Sequence, residues 1–350
     1  MIRYNNILLN NMAIHRVGNK SRVERNFASE SLFVLNEEMT AAFMKYFIKP
    51  LKRAESFYRF TMPEEGGEGL EAHPLHSAAK SVFENPENLL EASTDILKHL
   101  YEQSTHPNIK SGEVFVTYFS DVLIEDELVN AIGIFKSEQK SAFFDIIEGS
   151  DRLVVKKLDG IHIEKLDKGC LIVNVEEEDG YRVVSVDNNS YDANYWLYDF
   201  LKVSFVKDEN FHTRSFLELC NNFSNQVVSQ GANKDEQIRF LNESVDYFNK
   251  NETFNADEFI EAVMPARDDF MEEFQSLRKD YELEETDNFP ISSAALKSTS
   301  RKFNNTIKLD TNIQIKLDFS NPEASRLYLE KGYDEDKGMH FYKVFFNEEI

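Results

Sequence analysis

The pattern of apolar and polar positions changes twice along this chain of 350 residues, and each change predicts a different kind of element. In the N-terminal part, residues 113–124 and 128–135 are dense in Val, Ile, Phe and Tyr, which is typical of β-strands. The polar triplet 125–127 fits a hairpin connection between them. Adjacent hairpins favour a largely antiparallel sheet, because parallel pairs need long crossover connections. Further strands are predicted at 6–17, 152–157, 160–165, 170–175 and 181–186.

Two helical stretches are predicted within this strand-rich part. Residues 36–48 form the first helix, with Asn36 as its N-cap and Pro50 as its end. Residues 77–103 form the second stretch, with a break at Pro86. Both segments supply an apolar face that can cover the sheet.

After Tyr198 the spacing of apolar residues becomes helical, and at Phe289 it returns to strands. Helices are predicted at 212–228, 235–248, 256–263 and 267–281, and strands at 306–309, 313–319 and 340–346. The sequence therefore predicts an α+β fold in three parts. These are a largely antiparallel, mixed sheet domain at 1–205, an acidic helical region at 206–288, and a C-terminal β-rich region with a basic cluster at 289–350.

The composition supports packed cores and an intracellular protein. Hydrophobic residues make up 41% of the chain and aromatic residues 13%, which is enough apolar surface to fold. No apolar run approaches the roughly 20 residues of a bilayer helix, and the first residues lack a signal-peptide pattern. The two cysteines, Cys170 and Cys220, fit buried free thiols rather than a disulfide framework. We therefore expect a cytoplasmic protein with no membrane partner.

The charge of the chain is strongly negative and unevenly distributed. The formal net charge is −23, which argues against simple coating of DNA, because cations must neutralise the phosphates. The first 59 residues, however, hold ten basic and five acidic side chains. Local clusters therefore bear on function more than the total does.

A basic cluster lies in the C-terminal region. It consists of Lys297, Arg301, Lys302, Lys308 and Lys316. On a helix Lys297 and Arg301 would be i, i+4 neighbours on one face, and serine and threonine hydroxyls surround them. Such a face suits contacts to phosphates, so these five bases are the candidate DNA-binding residues. The alternative is that they pair with the acidic helices just before them.

The acidic stretch at 251–288 holds thirteen acidic and three basic side chains. The simplest interpretation is a solvated helix surface. The functional alternative is a face that docks a basic protein or imitates the charge of DNA. A protein-interaction module that engages a basic DNA-binding partner is therefore the second hypothesis for this chain.

No motif points to catalysis, to a metal or to a cofactor. His73 and His76 have a spacing that can bind a metal, but Pro74 interrupts the helix and no further ligand follows at a suitable distance. The glycines within 66–69 lie in an acidic loop whose carboxylates would repel a phosphate. We therefore expect a protein without enzyme activity, without a metal site and without a cofactor.

A metal-dependent nuclease is the third hypothesis. Glu138 and Lys140 follow the strand 128–135, and Asp121 lies on the strand before it. Nucleases gather carboxylates around divalent cations, often with a lysine nearby. A solvated turn explains the same residues more simply, because such spacings arise by chance in a chain with 29% charged residues.

Three segments resemble the bacterial nucleoid-associated proteins of the NdpA family. The segment 288–319 contains Asn-Phe-Pro-Ile-Ser, then a Leu-Lys helix, then Ile-Gln-Ile-Lys-Leu-Asp-Phe. The opening strand 7–17 and the junction at 195–202 are similar to the corresponding parts of that family. The order of elements agrees over essentially the full length.

The resemblance implies a bacterial protein of the cytoplasmic nucleoid. It implies association with DNA, or contact with DNA-handling proteins such as type II topoisomerases. It implies no catalytic residue. Self-association into a homo-oligomer is left open by the sequence.

Overall fold

The structure is a computed structural model that describes the chain except for residues 1, 53, 55, 63–68, 125, 190–194, 229–233, 265–267, 304–305, 317–328 and 349–350. The chain divides into two compact units, Met1–Val206 and Lys207–Ile350, which we call unit 1 and unit 2. Helices and antiparallel sheets occur in both, which confirms the predicted α+β class.

Antiparallel strands form the centre of unit 1. They are β1 (Ile2–Arg3), β2 (Leu8–Val17), β3 (Tyr58–Phe60), β4 (Gly112–Ile124), β5 (Glu127–Ser137), β6 (Lys140–Glu148), β7 (Leu153–Ile161), β8 (Lys168–Val173), β9 (Arg182–Asp187) and β10 (Val203–Phe205). Eight of these form one sheet in the order β1-β4-β5-β8-β9-β3-β10, with β2 also paired to β4. The predicted hairpin of β4 and β5 is its longest pairing, with Glu113 opposite Ser137 at one end and Ile124 opposite Glu127 at the other.

Helices cover both faces of this sheet. They are α1 (Glu37–Leu51), α2 (Pro74–Glu84) and α3 (Leu89–Gln103), with a π-helical turn at Tyr195–Leu201. Side chains alternate along a strand, so Val114 and Val116 of β4 join one core with α2 and α3. Phe115 and Phe119 join the other core with α1. In that second core the rings of Phe47 and Phe135 stack with centroids 4.1 Å apart.

The ends of α1 show where local signals hold and where they fail. Asn36 caps the helix as predicted, and its side-chain oxygen accepts from the Met39 N–H at 2.8 Å. Pro50 was expected to end the helix, but it lies inside the last turn. The turn continues because the Lys52 N–H still donates to the Ile48 carbonyl at 3.1 Å, a bond that needs no N–H on Pro50.

The hairpin of β6 and β7 was not predicted. The sequence suggested separate strands at 152–157 and 160–165, whereas one strand runs from Leu153 to Ile161 and pairs with Lys140–Glu148. Gly160 lies within this strand because the Phe143 ring occupies the space beside it, and a Cβ there would lie 2.9 Å from that ring. The glycine therefore marks a close approach inside one continuous strand, and not the start of a separate strand as predicted.

Unit 2 contains helices and short strand pairs. The helices are α4 (Glu209–Phe223), α5 (Lys234–Lys250), α6 (Ala256–Val263), α7 (Asp268–Asp280) and α8 (Ser293–Ser300). The strands are β11 (Thr253–Asn255), β12 (Asn288–Pro290), β13 (Thr306–Lys308), β14 (Gln314–Lys316), β15 (Leu329–Asp334) and β16 (Met339–Val344). They pair as the antiparallel ribbons β11–β12, β13–β14 and β15–β16.

Phenylalanine rings dominate the core of unit 2. The Phe216 and Phe254 centroids lie 4.1 Å apart, and Phe254 stacks on Phe289 at 4.7 Å. Leu296 and Phe303 belong to the same buried cluster. The acidic helices and the basic segment that follows Phe289 therefore share one core, which fixes α8 against the helices that precede it.

Two further findings bear on the expectations from the sequence. Cys170 and Cys220 are both buried free thiols, and burial raises the pKa of each to about 12. Within the described ranges, no helix combines the length and the apolar character needed to cross a bilayer.

Candidate nucleic-acid interface

Helix α8 carries the first two residues of the predicted basic cluster. Its N-cap is Ser292, whose hydroxyl accepts from the Ala295 N–H at 3.3 Å and is anchored to Asn210 at 2.6 Å. Leu296 on the inner face is buried in the core. Lys297 and Arg301 are exposed, one turn apart on the outer face. The packing of α8 therefore points both cations to solvent.

The described residues of the acidic helices do not form ion pairs with Lys297 and Arg301. Neither Lys297 nor Arg301 forms an ion pair with any carboxylate that the structure describes. Lys302 is exposed in the turn that follows α8. The alternative in which these bases fold onto the preceding helices therefore finds no support at Lys297 and Arg301.

The last two predicted residues lie on the β13–β14 ribbon. Lys316 is exposed, while its neighbour Ile315 packs against the core of unit 2. The alternation of a strand thus turns Lys316 outward. The backbone of Lys308 pairs with Gln314, but the Lys308 side chain lies outside the described residues. The structure thus places Lys297 and Arg301 side by side and leaves the spatial relation of Lys308 to them a prediction.

A groove of about 830 Å³ lies beside the α8 cations. It runs between α8 and the C-terminal end of α5, and its walls include Lys250, Lys297 and Arg301. No local sequence pattern indicates this groove, because its two walls are more than forty positions apart in the chain. Lys297 and Arg301 therefore lie at the rim of a concave surface and not only on a charged helix face.

The acidic stretch is a solvent-facing surface. Eleven carboxylate side chains described between 252 and 287 are exposed: Glu252, Asp257, Glu258, Glu261, Glu272, Glu273, Asp280, Glu282, Glu284, Glu285 and Asp287. Among the described basic side chains, Lys207 pairs with Glu282 and Arg278 pairs with Asp287. Most of this negative charge is therefore uncompensated by ion pairs, which leaves it available to a cationic partner.

Unit 1 contains a buried ionic network that the sequence analysis missed. The ammonium groups of Lys136 and Lys168 are fully buried, and these residues lie directly opposite each other on β5 and β8. Each has its own carboxylate: Lys136 Nζ lies 2.7 Å from Glu138, and Lys168 Nζ lies 2.7 Å from Asp187. Each ammonium also lies 5.5 Å from the centre of the Tyr195 ring. Carboxylates and ring together offset the repulsion between the two buried cations.

Further hydrogen bonds complete this network. Asp167 accepts from the backbone N–H groups of Glu138 and Gln139 at 2.7 and 3.0 Å. The Asn189 amide donates to Glu138 at 2.9 Å and to Asp167 at 3.0 Å. In the sequence, each lysine flanks an apolar strand segment, and this position was the one signal that could have indicated a buried lysine. Because both lysines are paired with carboxylates, the network fits a structural role: it holds β5, β8 and β9 in register.

The residues of the nuclease hypothesis do not form one site. Glu138 belongs to the buried network, whereas Asp121 lies at a bulge near the opposite end of the β4–β5 pairing. Asp121 lies eight positions along β4 from Glu113, which is at the Glu138 end, and this corresponds to roughly 26 Å. Within the described chain, no group of three or more His, Cys, Asp or Glu side chains is arranged to hold a metal ion.

The histidine pair has a structural role at the start of α2. His73 Nδ1 accepts from the N–H groups of Leu75 and His76 at 3.2 Å, so the imidazole caps the helix. His73 Nε2 lies 3.1 Å from the Leu201 carbonyl, to which it donates in that tautomer. His76 is bound through its own Nε2 to the Glu177 carbonyl at 3.0 Å. Pro74 begins the helix here and does not interrupt it.

The cap predicts a stability change with pH. Burial lowers the pKa of His73 to about 4, because the charged imidazolium would lose its hydration in the interior of unit 1. Because the pKa of His73 is lower in the folded state than its unfolded value of about 6.5, this group contributes stability at pH values above 6.5. That stability is lost as the pH falls through the folded-state pKa of about 4. For unit 1 we expect a loss of about 3 kcal/mol from this group between pH 7 and 4.

Urea unfolding followed by the fluorescence of Trp196, the only tryptophan, measures this change. The matched variant is His73→Asn, which keeps a capping acceptor but does not titrate. The free energy of unfolding of the variant should fall about 3 kcal/mol less over the same pH range. Equal pH dependence in the two proteins would show that His73 is not the titrating group.

A comparison with protein families gives the class of the chain. The family described as "Nucleoid-associated protein YejK" matches residues 13–337. The chain therefore belongs to this family of nucleoid-associated proteins, and the resemblance to NdpA is confirmed. No match was found among curated proteins. Family membership supports a general role in the bacterial nucleoid.

Proposed function

We propose that this protein is a non-catalytic nucleoid protein that binds DNA through the basic cluster of unit 2. The observation that carries the proposal is the outer face of α8. Lys297 and Arg301 stay exposed one turn apart, without an ion pair to any described carboxylate, in a chain of net charge −23. Cations left available in so acidic a protein fit an anionic polymer as partner.

The position of these cations also favours a phosphate backbone over base edges. Three hydroxyl residues stand between Lys297 and Arg301 in the sequence, and the first of them, Ser298, is partly exposed beside the two bases. Lysine, arginine and hydroxyl side chains make most contacts to phosphates, and such contacts carry no sequence information. We therefore propose non-specific binding, with Lys302, Lys308 and Lys316 extending the contact along the backbone. Replacement of all five bases by alanine, followed by a titration of DNA binding over salt, tests this function.

A second candidate function rests on the acidic surface. The exposed carboxylates of 252–287 are mostly outside ion pairs, and a basic DNA-handling protein such as a type II topoisomerase would complement them. In this function the protein reaches DNA through its partner. The two functions use different residues, so they can be separated by variants.

We expect the variant Glu272→Gln, Glu273→Gln, Glu284→Gln, Glu285→Gln to weaken binding to a purified type II topoisomerase. Loss of these four exposed negative charges should slow association by about tenfold at low salt and have little effect at high salt. Association kinetics on immobilised topoisomerase, without DNA, give this result. The matched control makes the same change at four exposed carboxylates of unit 1: Glu91, Glu127, Glu148 and Glu178. Equal slowing by the control would remove the acidic stretch as the docking face.

A further inference from the structure

The groove beside α8 combines charge with an apolar floor. Its floor is formed by Phe248, Ile291 and Leu296, of which Phe248 and Leu296 are buried in the core of unit 2. Three cations stand on its walls: Lys297, Arg301 and Lys250, of which Lys250 also pairs with Asp246 at 2.7 Å. A surface that binds only a phosphate backbone needs no apolar floor. The groove therefore suits a ligand that has an apolar part as well as a negative charge.

A buried polar group of the groove lacks a partner within the protein. Ser300 lines the groove and is only 5% exposed, yet its hydroxyl makes no hydrogen bond to any residue that the structure describes. The fully buried atoms without a partner do not include this hydroxyl, so it opens onto the groove, where solvent or a ligand can bind it. The side chain of Asn249, also on the wall, is exposed and makes no hydrogen bond within the described chain. Both groups are therefore available to a polar ligand.

The groove also contains one carboxylate, and this narrows the class of ligand. Glu252 lies on the wall, where it would repel a ligand that carries only negative charge. It can, however, accept a hydrogen bond from an amino group or from a sugar hydroxyl. The ligand must therefore be anionic at one end and carry hydrogen-bond donors and an apolar face at the other. A volume of about 830 Å³ lies within the range of small-molecule sites.

We propose that this groove binds one nucleotide. The phosphate lies against Lys297 and Arg301, with Lys250 on the opposite wall, and the base covers the apolar floor at Leu296. Asn249 and Glu252 face the polar edge of the base or the sugar. The proposal deepens the proposed function, since it uses the same α8 cations. The nucleotide can come from a free pool or from a DNA strand whose base leaves the stack, and both supply the same chemistry.

Calorimetry on the full chain tests the proposal, with deoxyadenosine 5′-monophosphate, inorganic phosphate and a single-stranded oligonucleotide as separate probes. We expect the monophosphate to bind at least about tenfold more tightly than phosphate, because only the monophosphate covers the floor. Replacement of both Lys297 and Arg301 by alanine should reduce its affinity by about tenfold or more. This comparison of probes on the unaltered protein does not depend on the folding of any variant.

A second variant separates nucleotide binding from duplex binding. Ser293 is exposed on the groove wall at the start of α8, so Ser293→Trp would fill the groove and keep every charge. We expect this variant to lose the monophosphate but to keep duplex affinity within about twofold. Ser300→Ala, a smaller change, should weaken the monophosphate and leave phosphate unaffected. Helical circular dichroism and the melting temperature check the fold of each variant.

The outcomes are distinct. Monophosphate binding no tighter than phosphate, together with an oligonucleotide that binds equally well to Ser293→Trp, overturns the nucleotide groove and leaves the proposed DNA function standing. Oligonucleotide binding that Ser293→Trp abolishes, without binding of the free monophosphate, supports the groove and identifies a DNA strand as the source. If replacement of Lys297 and Arg301 changes neither the affinity for the monophosphate nor the affinity for duplex DNA, both proposals are overturned.

Discussion

Replacement of Asp187 by asparagine should destabilise unit 1 by about 3–5 kcal/mol. The change keeps the shape of the side chain and its oxygen for the Asn189 N–H, at 2.9 Å in the native protein, but it removes the charge that faces Lys168. Two buried ammonium groups then lie on directly paired residues, and of the two only Lys136 keeps the carboxylate with which it pairs. Breaking a buried ion pair by removing one partner leaves an uncompensated charge, which accounts for the expected size.

The fluorescence of Trp196 during urea unfolding reports this loss, because the indole is buried in unit 1 and donates to Ser185 on β9 at 3.1 Å. The double variant Lys168→Met, Asp187→Asn should recover most of the stability, since the unpaired charge is gone. Glu164→Gln serves as control, because its pair with Lys45 is exposed to solvent and should contribute little to stability. Similar losses in Asp187→Asn and in the control would mean that the network is not a source of stability.

Local sequence signals were sufficient for much of the fold. The β4–β5 hairpin was predictable because two long apolar strands flank a short polar connection. The helices α2 and α3 were predictable because Pro86 separates two stretches of helical spacing. In such places the intrinsic propensity of the residues, the spacing of the apolar positions and the turn residues all favour the same element. Tertiary contacts therefore do not change the local structure that the sequence predicts.

Long-range pairing set the limits of the prediction. Lys136 and Asp187 lie about fifty positions apart, and only the pairing of β5, β8 and β9 brings them into one network. The hairpin of β6 and β7 has mixed apolar and charged residues on both faces, so its period was not diagnostic. Arg278 counted as a surface base in the acidic stretch, but it is buried and donates to the Leu283 carbonyl at 2.9 Å.

The exposure of two candidate residues could be predicted from the sequence, whereas the shape of the surface around them could not. The i, i+4 spacing of Lys297 and Arg301 correctly placed both on one exposed helix face, because Leu296 faces the core. The groove depends on α5, whose end reaches α8 only through the shared phenylalanine core of unit 2. No local pattern in the sequence contains that contact.

The second large effect concerns DNA affinity. Replacement of Lys297, Arg301, Lys302, Lys308 and Lys316 by alanine should weaken binding to duplex DNA by about a hundredfold or more at low salt. Each phosphate contact releases a counterion, so loss of five contacts should reduce the slope of log affinity against log salt by about 4–5. The acidic helices add repulsion in both proteins, so the difference in slope reports the cluster alone.

The control must match the change in charge without touching the cluster. Five exposed bases of unit 1 serve this purpose: Lys45, Lys49, Lys98, Lys156 and Lys157. Their replacement by alanine makes the chain as negative as the first variant. We expect this control to lose affinity only modestly and to keep its slope, because general repulsion is screened by salt whereas released counterions follow the contacts.

The central claim is that the basic cluster of unit 2 binds DNA in an otherwise acidic protein. Fluorescence anisotropy of a labelled duplex, titrated with the native protein and both five-alanine variants from low to physiological salt, tests it most directly. We predict a slope that falls by about 4–5 in the unit 2 variant and stays near the native value in the unit 1 control. A native slope in the unit 2 variant, or a greater fall in the control, would contradict the claim.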